Sequence, residues 1–370
     1  MARFAGGLFV HSYSRREGRG VRMQMRRGLV VVAALVGAFV AATGANADST
    51  SHTKGTTSTK VTSIAIATPA KPNDYGWNAQ GVAGAAAAAK SAGAKLTKVT
   101  GVGYDNTESV LRQLAGKKPG LLISHASGYD TIAVRIAQQT GVPTITYDAT
   151  KNLVKDKVGV ITTSANQGGY LAGILAAKMT KSGTVGIVIS ASDTNWYLMS
   201  GGFAAGVRSV SKSTKIIFAT IGPAAYDDAA GGKRVATSVI DQGADVVFGM
   251  GDGASLGYIQ AVETAKNKTW YIGDIGNIAP IDKKKIQLSS VLWSFTGAYK
   301  QAIKDIDGGS FGVKAYNLDL KNGGISLLKT SYAPAAAWAL VAKAQKGIVA
   351  GTVKVPTTTT KGAVDKLVKG

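Results

Sequence analysis

The sequence contains no cysteine and only three histidines. Without cysteine, the chain has no thiol nucleophile, no thiolate metal site and no residue to carry an N-terminal lipid anchor. The histidines are His11, His52 and His125, and only His125 lies in the patterned body of the chain. A single histidine among isolated acids offers no metal-ligand spacing. We therefore expect neither a metal site nor a bound cofactor.

Acidic residues are also scarce, because 21 Asp and Glu face 43 Lys and Arg and leave a formal net charge of +22. A surplus of this size is typical of proteins that meet nucleic acid or an anionic surface. The lysines are scattered, as at Lys151 and Lys283–Lys285, and no arginine-rich aromatic run accompanies them. We expect a basic, soluble surface and no nucleic-acid partner.

The first 47 residues are predicted to be a leader and signal peptide. Met25–Ala47 has a basic start, an apolar stretch diluted by glycine and alanine, and a small-residue A-N-A ending, which favours cleavage after Ala47 over a membrane-spanning helix. Residues 48–60 are Ser/Thr/Lys-rich and too polar to pack, so we expect a flexible tether. The mature protein should be exported to the periplasm or cell surface.

From Val61 onward, short β-branched runs alternate with helical segments, and the alternation restarts after 149–156. This pattern predicts an α/β fold of two doubly wound parallel-sheet lobes joined by a hinge, with a barrel of eight β/α units as the alternative. Lobe 1 is predicted to comprise 60–148 plus about 276–305, and lobe 2 149–275 plus about 306–370.

Ligands of open parallel sheets bind beyond the carboxyl ends of the strands. The segments that follow the predicted strands are rich in carboxylates, amides and aromatic rings, which suit a flat polar ligand better than bond-breaking chemistry. These segments are Pro69–Asn78, Ser124–Asp130, Asp148, Asp193–Trp196, Tyr226–Asp228, Gly251–Ser255, Asp274–Asn277 and Trp293.

The stretch "VVFGMGDGASLGYIQA" (246–261) matches two enzyme motifs at once. As G-x-S-x-G it places Ser255 in a nucleophile elbow, but a hydrolase of that kind needs a histidine further along the chain, and none follows. As G-x-G-x-x-A it is typical of a dinucleotide loop, with Asp274 in the place of the ribose-binding acid. Its late position and the predicted export argue against that. We expect a glycine-rich turn beside a ligand.

Several segments taken together resemble the BMP (basic membrane protein) family of substrate-binding proteins, whose members serve ABC importers of purine nucleosides. In chain order these are "NDYGWNAQG", "VGVITTSANQGGYLAGILAAKMTKSGTVGIV", "FAAGVRS", "GADVVFGMGDGASLGYIQA", "YIGDIGN" and "KGIVAGTVKVP". The resemblance implies a type I periplasmic-binding fold, a small-molecule ligand, a membrane permease as partner and a monomeric protein that is not an enzyme.

The resemblance also implies roles for individual residues. Asp74, Trp77 and Asn78 match the loop that holds the purine edge and stacks on the ring, and Asp130 matches an acid that contacts the base. Tyr226 would supply the second stacking face. Asp74 could instead cap a helix, and Trp77 or Tyr226 could simply pack against neighbouring side chains.

Two further matches concern the ribose. Gly251 lies in the glycine turn beside the ligand, and Asp274 matches the acid that binds ribose hydroxyls. Trp293 stands where many nucleoside-binding members have a ribose-binding lysine. This exchange removes a donor, so the ligand could be a free purine base or another flat metabolite rather than a nucleoside. A ligand sensor of the same fold, or a secreted nucleoside hydrolase using Asp74 and Asp130, are the alternative functions.

Overall fold

The structure is a computed structural model that describes residues 60–370. The predicted leader and tether lie outside the described residues, except for Lys60. Within 60–370, no helix is both long and apolar enough to cross a membrane. Two separate six-stranded sheets fill this part of the chain. The predicted two-lobed α/β fold is confirmed, and the barrel alternative is wrong.

The first sheet runs in the order β2 (Lys95–Thr100), β1 (Ser63–Thr68), β3 (Leu121–Ser124), β4 (Thr144–Tyr147), β5 (Val158–Thr163) and β11 (Tyr316–Leu318). All neighbouring pairs are parallel. Its helices are α1 (Trp77–Ala92), α2 (Thr107–Gly116), α3 (Asp130–Thr140) and α8 (Thr296–Asp307). Alternate residues of β1 point to opposite faces. Ile64 and Ile66 share a core with α1 and α8, whereas Ala65 and Ala67 share one with α2 and α3.

The second sheet repeats this order with β7 (Lys215–Thr220), β6 (Thr184–Ile189), β8 (Val246–Met250), β9 (Trp270–Ile275), β10 (Gln287–Trp293) and β12 (Ile325–Leu327). The pairs are parallel except for β10 with β12. Its helices are α4 (Ala165–Met179), α5 (Thr194–Val210), α6 (Ala229–Asp241), α7 (Ser255–Glu263), α9 (Ala335–Val349) and α10 (Lys361–Lys369). The α4–α5 pair covers one face of the sheet, and the α6–α7 pair covers the other.

Helices α4 and α5 cross at glycines on both sides of the contact. A Cβ at Gly173 would overlap the backbone carbonyl of Phe203, and a Cβ at Gly206 would overlap that of Tyr170. Only hydrogen at these positions lets the two backbones approach so closely. The Gly-rich segment of α4, which contributes to the family resemblance, is therefore explained by packing.

The chain passes between the sheets three times, at Ser164, at Ser294–Phe295 and at 319–324. These connections bond to one another. The Ser164 N–H donates to the Leu318 carbonyl at 2.8 Å, and the Ser294 N–H donates to the Gly324 carbonyl at 2.9 Å.

The sheets divide the chain differently from the predicted lobe boundaries. Strand β5 and strand β11 belong to the first sheet, and strand β10 belongs to the second. The sequence predicted the opposite lobe for each of these strands. The physical reason is that a buried parallel strand looks the same in either sheet, and crossings of one to six residues leave no linker composition to recognise.

Candidate functional site

A cavity of about 400 Å³ lies where the carboxyl ends of the two sheets face each other. It is lined by residues that follow β1 to β4 in the first sheet and β6 to β8 in the second, and by the last residues of β9 and β10. They are Pro69, Trp77, Tyr104, Ala126, Ser127, Gly128, Asp148, Asp193, Asn195, Trp196, Ala224, Tyr226, Asp252, Ile275 and Trp293. This is the position that open α/β sheets use for ligands.

Trp77 forms the wall on the side of the first sheet. Its ring stacks on His125 with centroids 4.4 Å apart and planes 20° apart, and its Nε1 donates to the His125 carbonyl at 2.9 Å. Trp293 meets it edge-on, with the centroids 6.1 Å apart. The indole of Trp77 is therefore fixed by a stacked ring and a hydrogen bond, and it presents a rigid aromatic surface to the cavity.

His125 is a support for this wall. It is fully buried, its Nε2 donates to the Trp77 carbonyl at 2.9 Å, and its Nδ1 lies 3.0 Å from the Tyr299 hydroxyl. Burial lowers the pKa of His125 to about 3, so the ring is neutral at physiological pH. The Ser255 hydroxyl donates to the Gly251 carbonyl instead of meeting an imidazole. Ser255 and His125 thus form no nucleophile–base pair.

The second sheet supplies the aromatic side chains Trp196 and Tyr226. Their ring centroids are 5.2 Å apart with planes tilted by 46°. Trp196 belongs to the first turn of α5, whose N-terminus is capped by Asp193 through the Asn195 and Trp196 backbone amides at 2.8 and 3.3 Å. The cap both orients the ring and places a carboxylate at the cavity.

Three carboxyl groups line the cavity, and each has a raised pKa. Reduced hydration is the largest cause in all three: it raises the pKa of Asp148 to about 6, that of Asp193 above its usual range and that of Asp252 well above it. For Asp252 the neighbouring carboxyls Asp74 and Asp274 add to this. No Lys, Arg or His is among the lining residues. The cavity therefore presents hydrogen-bond acceptors without a compensating cation.

Asp148 and Asn195 connect the two lobes at the cavity. The Asn195 Nδ2 donates to Asp148 at 3.2 Å, and its Oδ1 accepts from the Thr163 hydroxyl at 2.7 Å. Asp148 has a left-handed backbone with φ 61°, which is uncommon outside glycine and turns its side chain out of the line of β4.

Asp274 lies in β9, is 7% exposed and is not among the lining residues. Burial raises its pKa to about 8, although hydrogen bonds from the Gly251 backbone and the Trp196 side chain act to lower the pKa. Its Oδ2 has no hydrogen-bond partner among the described residues. Gly251, which precedes the lining residue Asp252, also falls just outside the lining. A Cβ there would come within 2.9 Å of the Ser190 hydroxyl.

Asp74 and Asn78 are placed behind the wall that Trp77 forms. Asp74 accepts from the Asn78 backbone and side-chain amides, both at 2.8 Å, and from the Ala79 N–H at 3.0 Å. Asn78 is 1% exposed, and its Oδ1 accepts from the Ala70 N–H. These bonds cap α1 and fix the loop that carries Trp77. Helix capping, which the sequence allowed for Asp74, therefore accounts for both side chains.

Asp130 also lies outside the lining. It accepts from the Tyr147 N–H at 3.2 Å and lies 3.5 Å from the Asn152 side-chain amide, and burial raises its pKa to about 7. It thereby holds the end of β4, next to Asp148. Of the eight residues predicted for the site, the structure brings Trp77, Tyr226 and Trp293 onto the wall of the cavity.

Seven polar or aromatic lining residues were not singled out from the sequence, namely Tyr104, Ser127, Asp148, Asp193, Asn195, Trp196 and Asp252. Six of them stand in the segments expected after strands, so topology was the signal that could have selected them. Tyr104 follows β2, a strand end that was not among those segments. Its side chain packs edge-on against Tyr129, with centroids 5.5 Å apart.

Comparisons with known proteins agree with this architecture. A family model described as Bmp, ABC transporter substrate-binding protein PnrA-like, matches residues 61–359. The ABC transporter nucleoside-binding protein BmpA of Lactococcus lactis subsp. cremoris (strain MG1363) is 26% identical over 354 residues, covering 90% of this chain and 99% of that protein.

Solved structures share the fold. A solute-binding protein of an ABC transporter system from Conexibacter woesei DSM 14684 superposes with a TM-score of 0.68 at 22% identity, covering 80% of this chain and 99% of that one. One from Aeropyrum pernix K1 gives 0.71 at 19% identity, covering 83% and 96%. At these identities the likeness concerns the fold alone.

Proposed function

Because the chain belongs to the Bmp family of PnrA-like ABC transporter substrate-binding proteins, we propose that it is the exported binding component of an ABC importer and takes a purine nucleoside or a free purine base between its lobes. The family and its relatives are binding proteins, so the chain is a binding protein and not an enzyme. The observation that carries the ligand proposal is the interlobe cavity, which combines aromatic walls with hydrogen-bond acceptors.

A flat heterocycle suits both features of the cavity. Trp77 from one lobe and Tyr226 from the other would enclose the ring, and stacking of this kind stabilises a base by about 1–3 kcal/mol in other proteins. Asp148, Asp193 and Asp252 would accept hydrogen bonds from ring N–H, amino or ribose O–H groups. The volume of about 400 Å³ lies in the range of small-molecule sites.

The remaining predicted residues act in this proposal at different distances from the ligand. Asp74 and Asn78 position Trp77, and Asp130 positions Asp148. Gly251 keeps the turn before Asp252 narrow. Asp274 lies behind the lining, from where it could reach ribose hydroxyls only after a shift of its side chain. That placement agrees with the expectation from Trp293 that a free base competes with the nucleoside.

Closure of the lobes would bury the ligand. The three connections at Ser164, Ser294–Phe295 and 319–324 form one bonded strip that could act as a hinge. Elsewhere between the lobes, the Tyr75 carbonyl is so close to Gly276 that a Cβ at Gly276 would overlap it. The bond between Asn195 and Asp148 would hold the closed form, which the permease would then recognise.

The test is a thermal-shift panel of adenine, adenosine, guanosine and inosine on the mature protein, followed by calorimetric titration. We expect stabilisation by at least one of them, and stabilisation by the base that equals or exceeds that by its nucleoside. A larger effect of the nucleosides would contradict the role assigned to Trp293. The absence of any effect, together with stabilisation by a sugar or amino acid, would contradict the purine proposal itself.

A further inference from the structure

The charges around the cavity do not balance. Asp148 accepts a hydrogen bond from Asn195, and Asp193 accepts bonds from the start of α5. Among residues 60–370, no hydrogen bond to the Asp252 carboxyl is found, and the charged groups that raise its pKa are all acids, namely Asp74, Asp193, Asp227 and Asp274. Asp252 is partly exposed to the cavity, and its ionised form, surrounded by acids, would be stabilised by a cation from outside.

A second, independent feature also lacks a partner. Trp293 is 2% exposed and lines the cavity, and its indole N–H has no acceptor among the described residues. Buried indole N–H groups usually find an acceptor. Trp293 and Asp252 thus both lack a hydrogen-bond partner from the protein at the same cavity. Trp293 offers a neutral donor to a ligand, and Asp252 offers an acceptor.

The aromatic side chains favour the same kind of ligand as Asp252. Trp77, Tyr104, Trp196, Tyr226 and Trp293 all line the cavity. The faces of aromatic rings attract cations, most strongly where water is excluded. Aromatic walls with carboxylates and without a lysine or arginine are suited to a flat ring that carries a positive charge.

From this geometry we propose that the preferred ligand is a cationic purine, whose positively charged edge meets Asp252 while an acceptor atom elsewhere on it takes the Trp293 N–H. The inference rests on the proposed function, because it assumes a purine in the interlobe cavity. Beyond the proposed function, the inference specifies that the purine carries a positive charge. Neutral purines bind more weakly, and phosphorylated ones are repelled by those lining carboxyls that are ionised.

The groups that face Asp252 determine whether its carboxyl is protonated. Besides the four acids, the hydroxyls of Tyr104 and Tyr226 are near enough for Asp252 to raise their pKa values. Since the pKa of Asp252 itself lies well above its usual range, the ligand-free protein keeps a proton on it to higher pH than an ordinary aspartate would. A cation would stabilise the carboxylate and release that proton, whereas a neutral purine would not.

The experiment compares two isomers on the mature protein, 1-methyladenosine, whose ring is cationic, and N6-methyladenosine, which is neutral. Adenosine serves as the reference and adenosine monophosphate as the anionic probe. Calorimetric titrations at pH 7 are run in two buffers with different enthalpies of ionisation, which counts the protons released. We expect 1-methyladenosine to bind about tenfold tighter than its isomer, because a charged partner strengthens the hydrogen bond, and to release protons that the isomer does not.

Asp252→Asn keeps the shape of the side chain and removes its charge. It should abolish both the preference for the cation and the proton release. Asp241→Asn, which removes a carboxylate from the exposed end of α6, is the matched control and should change neither.

Two outcomes overturn the inference and are distinguishable. If N6-methyladenosine or adenosine binds as tightly as 1-methyladenosine, the charge preference is wrong while the purine proposal stands. If none of these nucleosides binds and free adenine does not bind either, the proposed function is wrong and the inference falls with it.

Discussion

Asn195 of α5 donates to Asp148 at the end of β4, at 3.2 Å, and so bonds the second lobe to the first beside the ligand cavity. The same amide accepts from the Thr163 hydroxyl at 2.7 Å. Because Thr163 directly precedes the crossing at Ser164, Asn195 couples the cavity to the connection between the lobes.

Asn195→Ala should weaken ligand binding by about tenfold, because the closed form loses an interlobe hydrogen bond of about 1 kcal/mol and leaves Asp148 without that donor. Calorimetric titration with the ligand of the wild-type protein measures this. The control is Asn267→Ala, at an exposed loop position. Equal affinities of the Asn195 variant and the wild type would show that the bond does not contribute to closure.

Trp77 is predicted to be the main stacking surface. Trp77→Phe keeps an aromatic face but loses the bond to the His125 carbonyl, and we expect a loss of affinity of up to about tenfold. Trp77→Ala should cost about 10- to 100-fold, in the range of one stacking contact. Trp270→Ala removes a tryptophan that packs on Tyr332 away from the cavity. It should lower the melting temperature without changing the affinity, and an equal loss for both alanine variants would refute a specific role for Trp77.

The ligand-free protein should lose stability as the pH rises, in part through Asp274. Its folded-state pKa is raised to about 8 by burial, whereas an unfolded chain releases that proton near pH 4. Between these values the folded state binds more protons, so the free energy of unfolding falls with increasing pH. Asp274→Asn removes this dependence and should raise the melting temperature at pH 8 relative to the wild type, with little difference at pH 4.

The contribution of His125 to the pH dependence of stability has the opposite sign to that of Asp274. The folded-state pKa of His125 is lowered to about 3, whereas an unfolded histidine takes up a proton below about pH 6.5. That contribution is common to the wild type and the Asp274 variant and cancels in their difference. A difference in melting temperature that did not grow between pH 4 and pH 8 would contradict the raised pKa of Asp274.

The glycine crossing of α4 and α5 predicts a large effect of a single methyl group. Gly173→Ala should destabilise the protein by about 1–3 kcal/mol, because its Cβ would overlap the Phe203 carbonyl. Gly116→Ala at the end of α2 meets nothing within 4 Å and should be neutral or stabilising by up to about 1 kcal/mol. Denaturant unfolding measures both, and similar values for the two variants would refute the close approach.

Topology was the most informative part of the sequence. Alternating strands and helices predicted the sheets, and the rule that ligands bind beyond strand ends selected the segments containing Asp148, Asn195 and Asp252. The rule could not decide which side chain of a segment faces the cavity. Asp74 is only three residues from Trp77, and a carboxylate there can cap a helix or meet a ligand with the same local pattern.

The sequence also could not predict which of the two sheets a strand joins, because the local pattern is the same in both cases. Strands β5, β10 and β11 adjoin crossings of one to a few residues, and their composition matches buried strands of either lobe. The charge imbalance at Asp252 also becomes visible only when Asp193, Asp227 and Asp274, which are far apart in the chain, are brought together.

Mass spectrometry of the small molecule released when the purified protein is denatured tests the proposed purine ligand most directly. We expect one purine, as a base or a nucleoside, per chain, and its loss from protein carrying Trp77→Ala. Recovery of a sugar, an amino acid or a peptide in that stoichiometry would contradict the proposal.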